Sequence, residues 1–257
     1  TYASIGAYGE AEKQLQRAVI IRRQELGNEA GETLIAVSGL ANVYLDQGRF
    51  AEAETLHRQT LEIRQRKLGG EHPDTLESVN ELANVYYDQG RYSEAEELHQ
   101  QTLNIRRRIL GEEHRGTLAS MNNLALVYAA QGRFRDAESL YQRILQIERR
   151  TLGDEHPDTL GTMYNLANLY IDQGRYVEAE KLHQQTLQIQ QRTLGEAHPE
   201  TLKSMNGCAN AYYKQRRFAE AQQLYEQSLS IRRRTLGDEH PHTLESMNNL
   251  AVLYGHI

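Results

Sequence analysis

A single cysteine among 257 residues, Cys208, leaves no internal disulfide to form, and the expected compartment is a reducing cytoplasm. Positive charge is also short. Twenty-nine basic side chains stand against 35 acidic ones, a formal net charge of −6. Without a basic excess, nucleic acid and anionic membranes are not expected partners. No run approaches the ~18 consecutive apolar residues of a membrane span, and the first residues lack the charged and apolar regions of a secretory signal. Catalytic signatures are missing too: there is no Gly-rich Lys-Ser/Thr phosphate loop, no dinucleotide fingerprint, no His-Glu-x-x-His and no Cys-x-x-Cys. No catalytic residue, cofactor or metal site is therefore assigned.

What the chain has instead is repetition. A shift of 42 residues superimposes a Leu-Gly pair at Leu26, Leu68, Leu110, Leu152, Leu194 and Leu236. The same shift aligns Ala41, Ala83, Ala125, Ala167, Ala209 and Ala251, and three residues on, Tyr44, Tyr86, Tyr128, Tyr170, Tyr212 and Tyr254. A fixed period without insertions signals a solenoid whose units touch their neighbours.

Within the period His72 to Glu113, Leu76, Val79, Leu82, Ala83 and Tyr86 fall on one face of a first helix, which Pro73 opens and Gly90 closes. A second helix from about Tyr92 to Leu110 has Ala95, Leu98, Thr102, Leu103, Ile105 and Ile109 as its apolar set. Glutamates crowd its start and Arg106, Arg107 and Arg108 its end, as the helix dipole prefers. Each period thus reads as a helical hairpin. In the fifth turn Arg216 replaces the glycine found at Gly48, Gly90, Gly132 and Gly174, and since a left-handed arginine costs ~1 to 2 kcal/mol, that turn is expected to be rearranged or slightly unwound.

Ten histidines are a possible metal signal, but His72, His114, His156, His198 and His240 recur once per period before a helix, and His57, His99 and His183 recur inside second helices. Neighbouring hairpins lie ~9 Å apart, too far for ligands that must each sit ~2 Å from one zinc ion. They are read as structural, and His240 with His242 supplies too few ligands. Cys208 occupies the register of Leu82 and Leu124 and is expected to be buried and inert. Arg106 to Arg108, Arg149 with Arg150, and Arg232 to Arg234 are read as helix-end charges balanced by Glu112, Asp154 and Asp238, not as a phosphate-binding ridge.

Small-x-x-Tyr on the first helix, Gly-Arg-Phe/Tyr at the turn and Ala three residues later, as in LANVYYDQGRYSEAEELH, resemble the tetratricopeptide repeat. The period exceeds the family's 34 residues by about eight, roughly one turn per helix. With LGDEHPDTL between repeats, the chain resembles the kinesin light chain type of this domain over essentially its whole length. The resemblance implies an all-α right-handed superhelix built of tandem helix-turn-helix repeats. It would be a single array over residues 1–257, with a partial repeat at 1–27, full repeats near 31–69, 73–111, 115–153, 157–195 and 199–237, and a partial repeat at 241–257. The register sets the end of a first helix at Tyr2, Gly6 and Tyr8 and leaves another unfinished at Tyr254, with no polar cap. The expectation is a fragment of a longer protein, or a homo-oligomer formed through uncapped terminal repeats.

At ~100° per residue, a second set of positions lies to one side of the buried stripe, flanking the core without entering it. It carries Asn42, Asn80 and Asn84, Asn122 and Asn123, Asn165 and Asn168, Asn206 and Asn210, and Asn248 and Asn249. The resemblance assigns this side to the concave groove, where asparagines hold peptide main chain, and Asn123, Asn165 and Asn249 match best. Each amide offers two donors and an acceptor. The alternative is that these amides bond a neighbouring helix and set the stacking register. Selectivity is expected from Tyr87, Leu126, Ile171 and Tyr213 with flanking charges, Glu77, Glu81 and Asp88 early and Lys203 and Lys214 late. Kinesin light chain relatives favour acidic cargo, and the acidic second repeat departs from that. A segment basic toward the first repeats and acidic toward the last would be complementary.

The implied function is a non-catalytic scaffold that binds a protein or an extended peptide. Two other readings are a regulatory or sensor arm of a multidomain signalling ATPase, and a self-assembling structural array.

Overall fold

The computed structural model describes residues 2–257, with side chains from residue 8 onward. Of Tyr2, Gly6 and Tyr8, the three residues marking the expected helix end, Tyr2 and Gly6 are described by their backbone alone. Among the described residues there are twelve helices and no strand. They form two compact units. The first, Thr1–Gln131, contains α1 (Tyr2–Leu26), α2 (Gly31–Asp46), α3 (Phe50–Leu68), α4 (Pro73–Asp88), α5 (Tyr92–Leu110) and α6 (Arg115–Ala130). The second, Gly132–Ile257, contains α7 (Phe134–Thr151), α8 (Pro157–Asp172), α9 (Tyr176–Leu194), α10 (Pro199–Lys214), α11 (Phe218–Leu236) and α12 (Pro241–Tyr254). In each unit consecutive helices pack on one another. The backbone of α1 is a single 25-residue helix running through Gly6.

The alanine register is buried throughout: Ala41, Ala83 and Ala125 on first helices with Ala53 and Ala95 on second helices in the first unit, and Ala167 and Ala209 on first helices with Ala137, Ala179 and Ala221 on second helices in the second. On the first-helix stripe Leu76, Val79, Leu82, Ala83 and Tyr86 are all buried. On α5 the stripe is shorter than expected. Ala95, Thr102 and Leu103 are buried, but Ile109 is 48% exposed, because the 19-residue α5 outruns the 16-residue α4. Cys208 is buried beside Leu187 and Met205, and burial pushes its thiol up to about 12.

The histidine before each later first helix is its N-cap. His72 Nδ1 accepts from the Asp74 N–H at 3.2 Å, and His114, His156, His198 and His240 repeat the bond to Gly116, Asp158, Glu200 and His242. This satisfies one orphan N–H of the first turn. It also fixes the tautomer, since the accepting Nδ1 carries no proton.

The Arg216 turn is not rearranged. Arg216 takes φ +61° where Gly90 has +74°, and the same two closing bonds form, Arg216 N–H to Tyr213 O and Arg217 N–H to Tyr212 O. The reason lies in the next residue. Arg217 stacks on the Tyr212 ring at 4.3 Å and donates to Glu180 at 2.9 Å, holding the turn in the shape its neighbours impose.

Candidate functional site: the flank of the first helices

Two contacts lock neighbouring hairpins and decide which side chains remain available. The first is at the Gln-Gly-Arg turn. Gln89 and Arg91 both donate to Glu54 on the preceding second helix, at 3.1 and 2.8 Å, while Arg91 covers the Tyr86 ring at 4.1 Å. Gln47 and Arg49 do the same with Glu12, Gln173 and Arg175 with Glu138, and Gln215 and Arg217 with Glu180. Hydrogen bonds from Gln47 and Arg49 hold the Glu12 carboxyl below the usual range.

The second contact corrects the reading of the arginine clusters. Arg106 and Arg232 do not end in solvent as dipole charges but are buried. Arg106 donates to Ser120 Oγ at 2.9 Å and to the Gly116 carbonyl on α6, and Arg232 donates to Ser246 Oγ at 2.8 Å and the His242 carbonyl on α12. Arg64 bonds Ser78 and the Asp74 carbonyl in the same way. In the second unit this register also holds Glu148, whose carboxyl burial pushes up against a hydrogen bond from Thr162.

Asn80 and Asn206 are two further corrections, for they do enter the packed interior, at 6% and 7% exposure. With its amide oxygen turned inward, Asn80 accepts from both terminal nitrogens of Arg106 at 3.1 Å. A helical wheel gives a direction but not which neighbour lies there, and here that neighbour is a guanidinium.

In the first unit, Glu81 is half-buried, accepting from Ser38 at 3.1 Å and lying 3.4 Å from His57 Nδ1, and Glu77 lies 3.4 Å from Arg106. Asn84 and Leu126 are exposed, Asn122 and Asn123 half-buried, and Tyr87 sets its ring 5.5 Å from that of Tyr92. Asp46 and Asp88 share one register, and burial together with the Asp46 charge pushes the Asp88 carboxyl up.

The second unit brings the predicted residues together. Asn168, Ile171, Asn210, Tyr213, Lys214 and Asn249 line one concavity of about 320 Å³ on α8, α10 and α12. Asp172, Tyr225 and Val252 complete it, and none of these three was among the candidates read from sequence. Tyr225 rises from α11 to donate to Asn210 Oδ1, a contact between helices that no first-helix pattern reveals. Tyr213 is held between the Phe218 and His256 rings at 5.9 and 5.6 Å. Outside the concavity, Asn165 is half-buried and Asn248 exposed, and Lys203 lies 4.6 Å over the Tyr164 ring and 3.8 Å from Glu200.

Behind this flank sit the second-helix histidines. His57, His99 and His183 are all buried, and burial, reinforced at His99 by the Arg106 charge, pushes His99 and His183 down to about 4. His183 meets the edge of Tyr164 at 5.1 Å.

Overlapping matches over residues 1–66, 32–108, 78–149, 118–173, 158–234 and 208–257 identify the tetratricopeptide repeat, and the chain belongs to that family. Its repeats are of the kinesin light chain-like type. A Podosopora anserina protein named for kinesin light chain, with nearly identical TPR-like repeats, is 37% identical over 79% of this chain and 95% of its own, with a TM-score of 0.67. BtubC (BKLC) from P. vanneervenii shares the fold at 24% identity, over 91% of this chain and 94% of its own, with a TM-score of 0.70. So does the apo quorum sensor NprR from B. thuringiensis, at 16% identity, over all of this chain and 68% of its own, with a TM-score of 0.69. No curated protein matches the sequence. Proteins of this family are generally non-catalytic scaffolds that bind other proteins. No helix among the described residues is long and apolar enough to cross a membrane.

Proposed function

We propose that the chain is a non-catalytic scaffold, acting in the cytoplasm, that holds an extended peptide segment of a partner protein against the flank of its first helices. The observation that carries this reading is the concavity on α8, α10 and α12, where Asn168, Asn210 and Asn249 stand beside Ile171, Tyr213 and Val252. Amides at successive helices match the donors and acceptors of a bare peptide backbone, and the apolar wall takes a side chain. Asn80, buried against Arg106, sets the stacking, and it and the equally buried Asn206 are left out of the binding set.

The test is to replace Asn168, Asn210 and Asn249 by alanine and screen the folded variant and the parent against a peptide library. Loss of binding with retained helicity supports the reading; unchanged binding sinks it. Light scattering against concentration separates the self-assembling alternative, in which apparent mass grows without any partner.

A further inference from the structure

The concavity on α8, α10 and α12 carries two charges that its own walls leave unpaired. Asp172 and Lys214 occupy the same register of consecutive first helices, 42 residues apart, and both line the pocket. Neither has an ion pair within 4 Å among the described residues. They still sense each other. Burial pushes the Asp172 carboxyl up, and the Lys214 charge opposes that shift without cancelling it. The first unit differs at this register, with two acids, Asp46 and Asp88. The opposed pair therefore belongs to the second unit.

Helices α8 and α10 are in direct contact, so their axes lie ~10 Å apart. An extended chain advances ~3.3 Å per residue, and side chains that reach both charges are about three residues apart. Ile171, Tyr213 and Val252 are the apolar part of the same lining, suited to an apolar side chain.

We propose that this pocket selects an extended segment with one basic and one acidic side chain about three residues apart, the basic one against Asp172, the acidic one against Lys214, and apolar residues between them. The proposal rests on the groove reading above and adds its chemistry. A purely acidic or purely basic segment places one of its charges against a like charge of the pocket and loses affinity.

Four labelled peptides that differ only in a central Lys-Leu-Leu-Glu, Glu-Leu-Leu-Lys, Lys-Leu-Leu-Lys or Glu-Leu-Leu-Glu test this by fluorescence anisotropy. The better of the two mixed orders is expected to bind about fivefold tighter than either like-charge peptide. Asp172→Lys should turn the preference to the peptide with two glutamates, and Lys214→Asp to the one with two lysines. If all four bind and their ranking is the same in the parent and both variants, the charge assignment is overturned while the groove stands. Binding of none overturns both.

Discussion

Gly207 on α10 lies directly under the imidazole of His183 on α9: a Cβ at that glycine would come within 2.6 Å of ring atoms Nδ1 and Cε1. The absent side chain on one helix is thus the room for a buried ring on the preceding one. Leu15 and Gly39 form the same pair at the start of the first unit, with the added Cβ 3.3 Å from a leucine methyl. In the same register, His99, Tyr141 and Tyr225 are matched in sequence by Asn123, Asn165 and Asn249.

Gly207→Ala is expected to destabilise the chain by about 1–2 kcal/mol, since overpacking costs ~1–3 kcal/mol and better helix propensity returns up to ~1. In a His183→Ala background the same change should stabilise. Urea unfolding of the four proteins checks this, and an equal effect in both backgrounds would refute the contact.

His99 and His183 make stability depend on pH. Their folded values lie near 4, below the ordinary 6.5, because burial disfavours the charged ring. Between those values the unfolded chain binds protons that the folded chain does not, so stability falls as pH drops from 6.5 toward 4, by up to about 3 kcal/mol per ring. His183→Leu, which copies the Leu15–Gly39 pair, should flatten its share of that slope in unfolding curves taken at pH 7, 5.5 and 4.5.

Arg216→Gly should stabilise by about 1 kcal/mol. It removes the cost of a left-handed side chain at φ +61° and leaves the closing bonds untouched. Gly90→Arg, at the equivalent turn, should lose a similar amount in thermal unfolding.

Arg106→Ala is expected to cost about 2–4 kcal/mol, because Asn80 and Ser120 lose a buried charged donor together. The loss should be local. Hydrogen exchange should speed up in α5 and α6 more than in α2.

Asn80→Ala should lower stability without altering peptide affinity, whereas Asn249→Ala should weaken binding about tenfold with little change in stability. Calorimetric titration beside an unfolding curve for each variant distinguishes the two roles. If both behave alike, the division of the asparagines into interior and groove sets is wrong.

The helices, their order and their buried stripes were legible because apolar spacing is a local property: Leu76, Val79, Leu82, Ala83 and Tyr86 declare their face by position alone. The contacts between hairpins were not. In a perfect repeat, a residue that touches its own hairpin and one that touches the next recur identically, so nothing in the spelling of Arg106 says that it reaches Ser120. The same holds for Gln89 and Arg91, whose partner Glu54 lies one hairpin back. Histidine capping escaped notice because serine, threonine, asparagine and aspartate are the expected caps. On the groove, the register of the asparagines was readable, but which of them stay accessible depended on second-helix side chains such as Tyr225 and Arg106.

The turns that begin at Gln47, Gln89, Gln173 and Gln215 each take their carboxylate from the hairpin before, 35 residues upstream of the glutamine and 37 upstream of the arginine. A gene for such a chain can gain or lose whole periods by unequal recombination, because a cut and rejoining in register among the periods that carry Glu12, Glu54, Glu96, Glu138 and Glu180 meets an equivalent glutamate. The number of hairpins along the chain is then open to change in single steps, with the seam between them already made.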